Sequence, residues 1–425
     1  MLDIKLIRED PKLVKDSLKK RAISESILDE LLSLDNEWKQ LKKETDELRA
    51  RRNKISQEIN LAKKNKEQID NLIKEAKSIP KLLQEKENNL SKTEKKRISL
   101  WKNIPNILDK SVPKGNKNKI LKKFGRIKNK KLEKGHAEVL QELDLIDTEK
   151  ASEVSGSRFY YLKNELVKLN FAIIQFALDF LWKKGFKLIQ TPYMLNRKAL
   201  EGAITLDTFE ESIYKIENED LYLIGTAEHA INALKFNEII SSKELPLRFA
   251  GFSTNFRKEA GSHGKDTKGI FRTHQFDKVE QFVFCKPKDS WKEFDLILKN
   301  SIELYKALEI PFRVILLSGQ ETSRTATKTI DLEGYFPSQG KYRELGSCSN
   351  CLDYQSRRSN IKFRDKDELK FVFTLNNTAI ATERMIACIC ENFFQKSGSI
   401  KIPKALWKYT GFKEIKPTKS KIHKA

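Results

Sequence analysis

The residues best suited to chemistry lie between Phe252 and Glu280. Two alternating apolar and polar runs flank a loop that holds Gly261, Gly264 and Gly269, the pattern of an antiparallel hairpin. Alternation puts Arg257 and Glu259 on one face, and puts Arg272, His274 and Phe276 together on a face of the returning strand. Two guanidiniums, a carboxylate and an aromatic ring can hold a nucleoside triphosphate without a glycine-rich phosphate loop. Guanidiniums bind phosphate oxygens as a fork, the carboxylate accepts from an exocyclic amine, and the ring stacks on a base. The same alternation also describes a solvated hairpin laced by surface ion pairs. Residue types alone leave both readings open.

Positioning such groups takes a sizeable domain, and 425 residues allow two or three. The net charge of +23, from 82 Lys and Arg against 59 Asp and Glu, implies a polyanionic partner. Nucleic acid fits first, with a membrane surface or an acidic protein as alternatives. No segment reads as membrane-spanning, because the longest apolar stretch, Phe171 to Trp182, carries Gln175 and Asp179 and falls short of the ~20 residues required. The opening Met-Leu-Asp-Ile has no apolar signal core, so a cytoplasmic protein is expected. Five cysteines provide no disulfide framework. Cys348 and Cys351 form a lone CxxC without further ligands, and a structural role without metal is expected of them.

Residues 1–118 read as an arm. After a short helix starting near Asp10-Pro11, apolar residues recur at Ile27, Leu31, Leu34, Trp38, Leu41, Leu48, Ile55, Ile59 and Ala62. With Thr45 and Arg52 added, the spacing is an unbroken 4-3-4-3, the seam of a coiled coil. A weaker series from Ile69 to Leu100 predicts a second helix, antiparallel to the first, with Pro80 expected to interrupt or kink it. Arg49, Arg51, Arg52, Lys54, Lys63, Lys64 and Lys66 gather towards the far end, where packing makes no demand for them. They are either a solvated face or a set of phosphate contacts. From Lys110 to Lys134 eleven basic residues face one acid, Glu133, and such a block should be mobile unless an anion neutralises it.

Residues 119–425 read as one α+β domain. A broad apolar helix is predicted over Tyr161–Lys184, followed by a strand over Phe186–Thr191. Short strands are predicted at Leu221–Ile224, Leu247–Phe256, Phe271–Phe284, Phe312–Leu317, Thr329–Phe336 and Lys341–Cys348. Few helices intervene, which argues for a mostly antiparallel sheet flanked by helices rather than a Rossmann fold. The last helix is predicted over Thr378–Phe394, capped by Asn377 and carrying Arg384 about two turns in.

The hairpin resembles the second signature motif of class II aminoacyl-tRNA synthetases, and the whole chain is similar to seryl-tRNA synthetases. The resemblance rests on blocks in the family's order: Thr226-Ala227-Glu228, the hairpin, Asp331-Leu332-Glu333 with Pro337-Ser338-Gln339, Ser347-Cys348-Ser349-Asn350, and Leu375-Asn376-Asn377-Thr378. It implies a homodimer in which a tRNA-gripping coiled-coil arm precedes a class II catalytic domain. The implied reaction is activation of L-serine by ATP to seryl-adenylate and pyrophosphate, then transfer to the terminal adenosine of tRNA(Ser), with Mg²⁺ as cofactor. Carried over, Arg257 and Arg384 are the catalytic cations. Arg257, Lys258, Glu259, Arg272, Phe276, Glu344, Leu345, Gly346, Ser347 and Arg384 bind ATP, and Glu344 and Ser347 hold Mg²⁺ through it. Thr226, Ala227, Glu228, Arg257, Glu280 and Thr378 bind serine, and the seven arm cations bind tRNA. At the ATP site the sequence departs from the family in two places. Gly346 stands where a second serine is usual, and Ala379, Ala381 and Glu383 occupy a stretch that is usually rich in glycine. Two rival readings remain: a catalytically inactive synthetase-like RNA-binding paralogue, and a coiled-coil scaffold.

Overall fold

A computed structural model describes residues 1–128, 131–205, 212–259 and 268–417. Two compact units emerge, one of Met1–Lys19 with Ile23–Pro105, the other of Lys20–Ala22 with Asn106–Ala425.

The first unit is built on two long helices, α1 (Ser26–Lys64) and α2 (Asp70–Asn103), preceded by the short helices Ile4–Glu9 and Pro11–Lys20. The seam buries Leu28, Leu31, Thr45, Ile55 and Ala62 of α1 against Ile79, Leu83 and Thr93 of α2. Pro80 does not interrupt α2, which runs through it as a single helix. Its ring is on the solvent side while Ile79 and Leu83 are buried in the seam, so packing outweighs the one missing backbone hydrogen bond. Asp35 is buried and shared among Arg8, Lys39 and Arg97. Burial opposes its charge, yet the three cations hold its carboxyl well below the usual range.

The distal cations divide into two kinds. Arg49 bonds Glu87 at 2.8 Å, and Arg51 bonds Glu75 at 2.6 Å and Glu58 at 3.0 Å, so these two tie α1 to α2 and do have a packing role. Lys54 approaches Glu58 at 3.8 Å within α1. Arg52, Lys63, Lys64 and Lys66 are exposed, and no described acid pairs with them. Arg52 thus lies outside the seam in which its spacing had set it.

The second unit centres on an eight-stranded sheet with the strands β1 (Lys119–Phe124), β2 (Lys187–Gln190), β3 (Leu247–Phe256), β4 (Gln275–Cys285), β5 (Phe312–Leu316), β6 (Lys328–Phe336), β7 (Lys341–Leu352) and β8 (Phe373–Ala381). Their order is β1-β5-β6-β7-β8-β4-β3-β2, antiparallel throughout except for the β2–β3 edge pair. Helices α3 (Glu165–Lys183), α4 (Ser290–Ala307) and α5 (Thr382–Phe393) bury Leu169, Ile173, Phe294, Ile297, Met385 and Ile389 in one cluster with Val279, Val283, Leu332 and Leu375 of the sheet. A second cluster holds Phe282 and Phe284 with Phe249, Ile231 and Phe363. Odd-numbered β4 residues thus enter one core and even-numbered ones the opposite face, as a period of two requires.

Several expectations need correction. The basic block around Lys122 is partly ordered: Lys119–Phe124 pairs with β5, and Phe124 stacks on Phe312 at 4.9 Å. Lysines on an exposed edge strand also discourage further strand pairing. Tyr161–Leu162 is a short strand pairing with Ile146–Asp147, so α3 begins only at Glu165. The returning hairpin strand starts at Gln275, leaving Arg272 and His274 before it. Ile270 and Phe271 are consecutive and both buried, which an alternating strand cannot satisfy. The loop glycines Gly261 and Gly264 lie outside the described residues.

The helix expected from Thr378 begins at Thr382, so Arg384 is in its first turn and Asn376 to Ala381 are strand; it is not the last helix either, since Trp407–Thr410 follows. Asn377 is no helix cap. Its amide donates to the Ile297 carbonyl at 2.6 Å and to Ser301 Oγ at 2.9 Å, where buried partners replace the competing cap geometry.

Candidate active site

The even face of β4 supplies Phe276, Lys278 and Glu280 in succession, and the neighbouring elements bring other groups to them. Arg257 follows the end of β3, with its backbone N–H bonded to the His274 carbonyl, so the two hairpin limbs stay together past the sheet. Its Nε donates to the Gly225 carbonyl at 3.0 Å, and its guanidinium lies 5.3 Å from the centre of the Phe276 ring. Burial pushes the Arg257 pKa down, with Glu259, Glu280 and Glu344 pulling against this. Arg272 meets Glu259 at 3.5 Å. Arg384 meets the Glu344 carboxylate at 3.2 Å and lies 5.4 Å from the centre of the Phe271 ring. The Glu344 carboxylate is held below its usual range, chiefly by Arg384.

These groups line a cavity of about 130 Å³ together with Leu345, Gly346, Ser347, Thr378 and Glu383. An adjoining cavity of about 390 Å³ shares Thr226, Glu228, Arg257, Glu259, Ser347 and Asn376 with it, so the two are one continuous site. Ala227 is the exception within the first block, since it is turned into the apolar cluster beside Ile231. Lys258 is exposed, with its ammonium 5.8 Å from the centre of the Tyr214 ring, and lines neither cavity.

Thr226 caps the helix Ala227–Leu234, its hydroxyl accepting from the Glu228 N–H at 3.3 Å. That cap aims Glu228 inward, where it accepts from Gln355 at 2.6 Å and from Asn376 at 2.9 Å. Burial and the nearby Glu280 raise the Glu228 pKa to about 7. Glu280 is buried too, but it is ion-paired to Lys278 and lies within 3.4 Å of both the Thr226 and the Thr378 hydroxyls. Burial, with Arg257 and Lys278 nearby, drops neighbouring His229 to about 3 and keeps it neutral.

Gly346 has a local reason. A Cβ there would lie 3.0 Å from Thr378 Cβ, so a serine at this position would need Thr378 to give way by a few tenths of an ångström. Glu383 is likewise occupied: it accepts from Tyr160 at 2.5 Å and from the Asp277 N–H at 3.0 Å, and it anchors the β4–α5 junction. Another cavity, of about 250 Å³, is lined by Arg272, Arg343 and Arg384 with Asp331, Glu333 and Glu344. Asp331 Oδ1 is buried there without a hydrogen-bond partner.

The sequence reading missed Lys278, Gln355 and Asp331. Lys278 was discoverable, standing two residues before Glu280 and hence on its face. Gln355 was not, because only the folded chain brings its short helix, Tyr354–Ser359, to Glu228.

Comparisons with known proteins agree with this architecture. Residues 1–108 match the family model for the seryl-tRNA synthetase N-terminal domain, and residues 209–393 match the tRNA synthetase class II core domain (G, H, P, S and T). The serine--tRNA ligase of Nitrosopumilus maritimus is 48% identical over 417 residues, spanning 97% of this chain and 99% of the relative. A crystal structure of seryl-tRNA synthetase from Pyrococcus horikoshii complexed with ATP superposes with a TM-score of 0.93 at 45% identity, over 99% of this chain and 100% of that one. The cytoplasmic serine-tRNA ligase of Naegleria fowleri in complex with AMP gives a TM-score of 0.86 at 35% identity, over 98% and 99% of the two chains.

Proposed function

The chain belongs to the seryl-tRNA synthetase family of class II aminoacyl-tRNA synthetases, and from that premise we propose how its own residues carry out the reaction. The activity is ligation of serine to tRNA(Ser) through seryl-adenylate. What supports the residue roles most is one observation: three arginines, an aromatic ring and the carboxylates Glu228 and Glu280 meet in a single continuous cavity.

The serine carboxylate attacks the α-phosphorus in line, displacing pyrophosphate. That nucleophile is ionised at neutral pH, so no general base is needed. Catalysis consists of alignment and of neutralising charge that gathers on phosphate oxygens. Arg257, fixed through Gly225, binds the α-phosphate and the serine carboxylate. Arg272 and Arg384 take the outer phosphates and the base, Glu259 accepts from the adenine amine, and Phe276 supports the ring. Thr226, Glu228, Glu280 and Thr378 bind the serine head. Lys258 and Ala227 contribute through their backbone and through the order of their neighbours, since their side chains face elsewhere.

The donor set fits Mg²⁺. A carboxylate from Glu344 and a hydroxyl from Ser347 are hard oxygen ligands, and a partnerless oxygen of Asp331, which stands opposite Ser347 and lines the neighbouring cavity with Glu344, favours a cation on this side. When bound with ATP, the ion would neutralise phosphate charge and so aid departure of pyrophosphate.

The exposed cations Arg52, Lys54, Lys63, Lys64 and Lys66 form the arm's phosphate-binding end, with Arg49 and Arg51 holding the two helices beneath them. A homodimer formed on the α3 and β2 face has support in the exposed Phe171, Trp182 and Leu188. No described helix is long and apolar enough to cross a membrane, which accords with a cytoplasmic enzyme. An inactive paralogue is disfavoured, because Arg257, Glu259, Glu280 and Arg384 are all retained and all line one cavity. Transfer of labelled serine to tRNA by the purified chain tests the whole reading. ATP-dependent charging is expected, and charging with another amino acid would overturn it.

A further inference from the structure

The serine pocket holds a half-buried carboxylate, Glu228, and a buried one, Glu280, 52 residues further on, and a small zwitterion presents them with one ammonium and one hydroxyl. Nothing in the two side chains as such says which takes which. Their surroundings differ. Glu280 is ion-paired to Lys278, whose buried ammonium also donates to Thr226 Oγ1 at 2.7 Å. Glu228 has only amide donors, from Gln355 and Asn376, and no ion pair of its own. Glu280 therefore has a counter-ion before substrate arrives, and Glu228 has none.

We propose that Lys278 is a specificity-determining residue, which by occupying the charge of Glu280 reserves that carboxylate for the substrate hydroxyl and leaves Glu228 to receive the substrate ammonium. This rests on the serine-activation reading above and adds to it a division of labour. A paired carboxylate still has oxygen lone pairs for a hydroxyl, and Thr226 and Thr378, both within 3.4 Å of Glu280, complete a small polar ring. An amino acid without the hydroxyl leaves that ring unpaired, which is how a site of this kind rejects alanine. Without the Lys278 charge, Glu280 competes for the ammonium, and an amino acid lacking the hydroxyl then binds nearly as well.

The geometry makes Lys278 poorly suited to any other task. It is buried, it shares the even face of β4 with Glu280, and its neighbours across the sheet, Ser253 and Ala381, are uncharged. Arg257 is the other cation that acts on both carboxylates, and it is anchored to the Gly225 carbonyl instead.

The test is serine- and alanine-dependent pyrophosphate exchange by the full-length wild type, Lys278→Met and the double variant Lys278→Met/Glu280→Gln, all at saturating ATP. Lys278→Met should lower the ratio of kcat/KM for serine to that for alanine at least tenfold, with the KM for ATP moving less than threefold. The double variant removes both charges and keeps an acceptor for the hydroxyl, so it should recover most of the missing discrimination. A Lys278→Met ratio within threefold of wild type overturns the assignment. So does a double variant that discriminates no better than the single one, since a merely structural lysine is not rescued by a second substitution. If wild type itself shows no serine-dependent exchange, it is the activity reading that fails.

Discussion

Replacing Arg257 with alanine should abolish most adenylate formation while sparing the fold. The guanidinium is held where burial works against its charge, so its value must lie in the anion that it meets. One well-placed donor to developing charge is worth about 2.7–4 kcal/mol, or ~10²–10³ in rate. The structural cost is smaller, because the main intramolecular bond removed is that from Nε to the Gly225 carbonyl at 3.0 Å, about 1 kcal/mol. Serine-dependent exchange should therefore fall at least a hundredfold while the far-ultraviolet circular dichroism spectrum is unchanged and Tm drops only slightly. Arg257→Lys should recover little, because a point charge lacks the fork that aligns two oxygens. Exchange by Arg257→Ala within threefold of wild type would refute the reasoning, and a collapse of Tm would show that the arginine is chiefly structural.

Glu280→Ala should raise the serine requirement far more than that for ATP, and an equal loss for both substrates in exchange assays would point to general damage of the hairpin. The apparent KM for serine should fall as pH rises through about 7, because the ionised Glu228 attracts the ammonium while the neighbouring His229 stays neutral. Glu228→Gln should flatten that profile, and an unaltered inflection in the variant would assign it to another group. Neutralising Arg52, Lys54, Lys63, Lys64 and Lys66 together should reduce the slope of log tRNA affinity against log salt by roughly 0.7–0.9 for each phosphate that the arm no longer neutralises. Neutralising Arg49 and Arg51 should instead lower the thermal stability of the arm, and an unchanged slope in the first variant contradicts the phosphate-binding end.

Much of this was legible in the chain because the period of the apolar residues carries it. The 4-3-4-3 seam of α1 survives as a long helix, and the strand Leu247–Phe256 was predictable to its ends. Legibility failed where tertiary partners overrode a local signal. Asn377 has the chemistry of a helix cap but finds buried partners on α4, so a central strand runs through it. Phe271 looks like a strand residue but is drawn into the core next to Ile270. Arg49 and Arg51 look like free surface charge because their acids, Glu87 and Glu75, lie on the other helix. The positions of the carboxylates Glu228 and Glu280 could be named from the resemblance, but the lysine that sets them apart shows its role only in the folded chain.

The most direct measurement is labelled pyrophosphate exchange by the full chain with ATP and each of the twenty amino acids in turn. Fastest exchange with serine, at a rate well above that with alanine or threonine, is the predicted result. No exchange with any amino acid, or faster exchange with one other than serine, would contradict the central claim that this cavity activates serine.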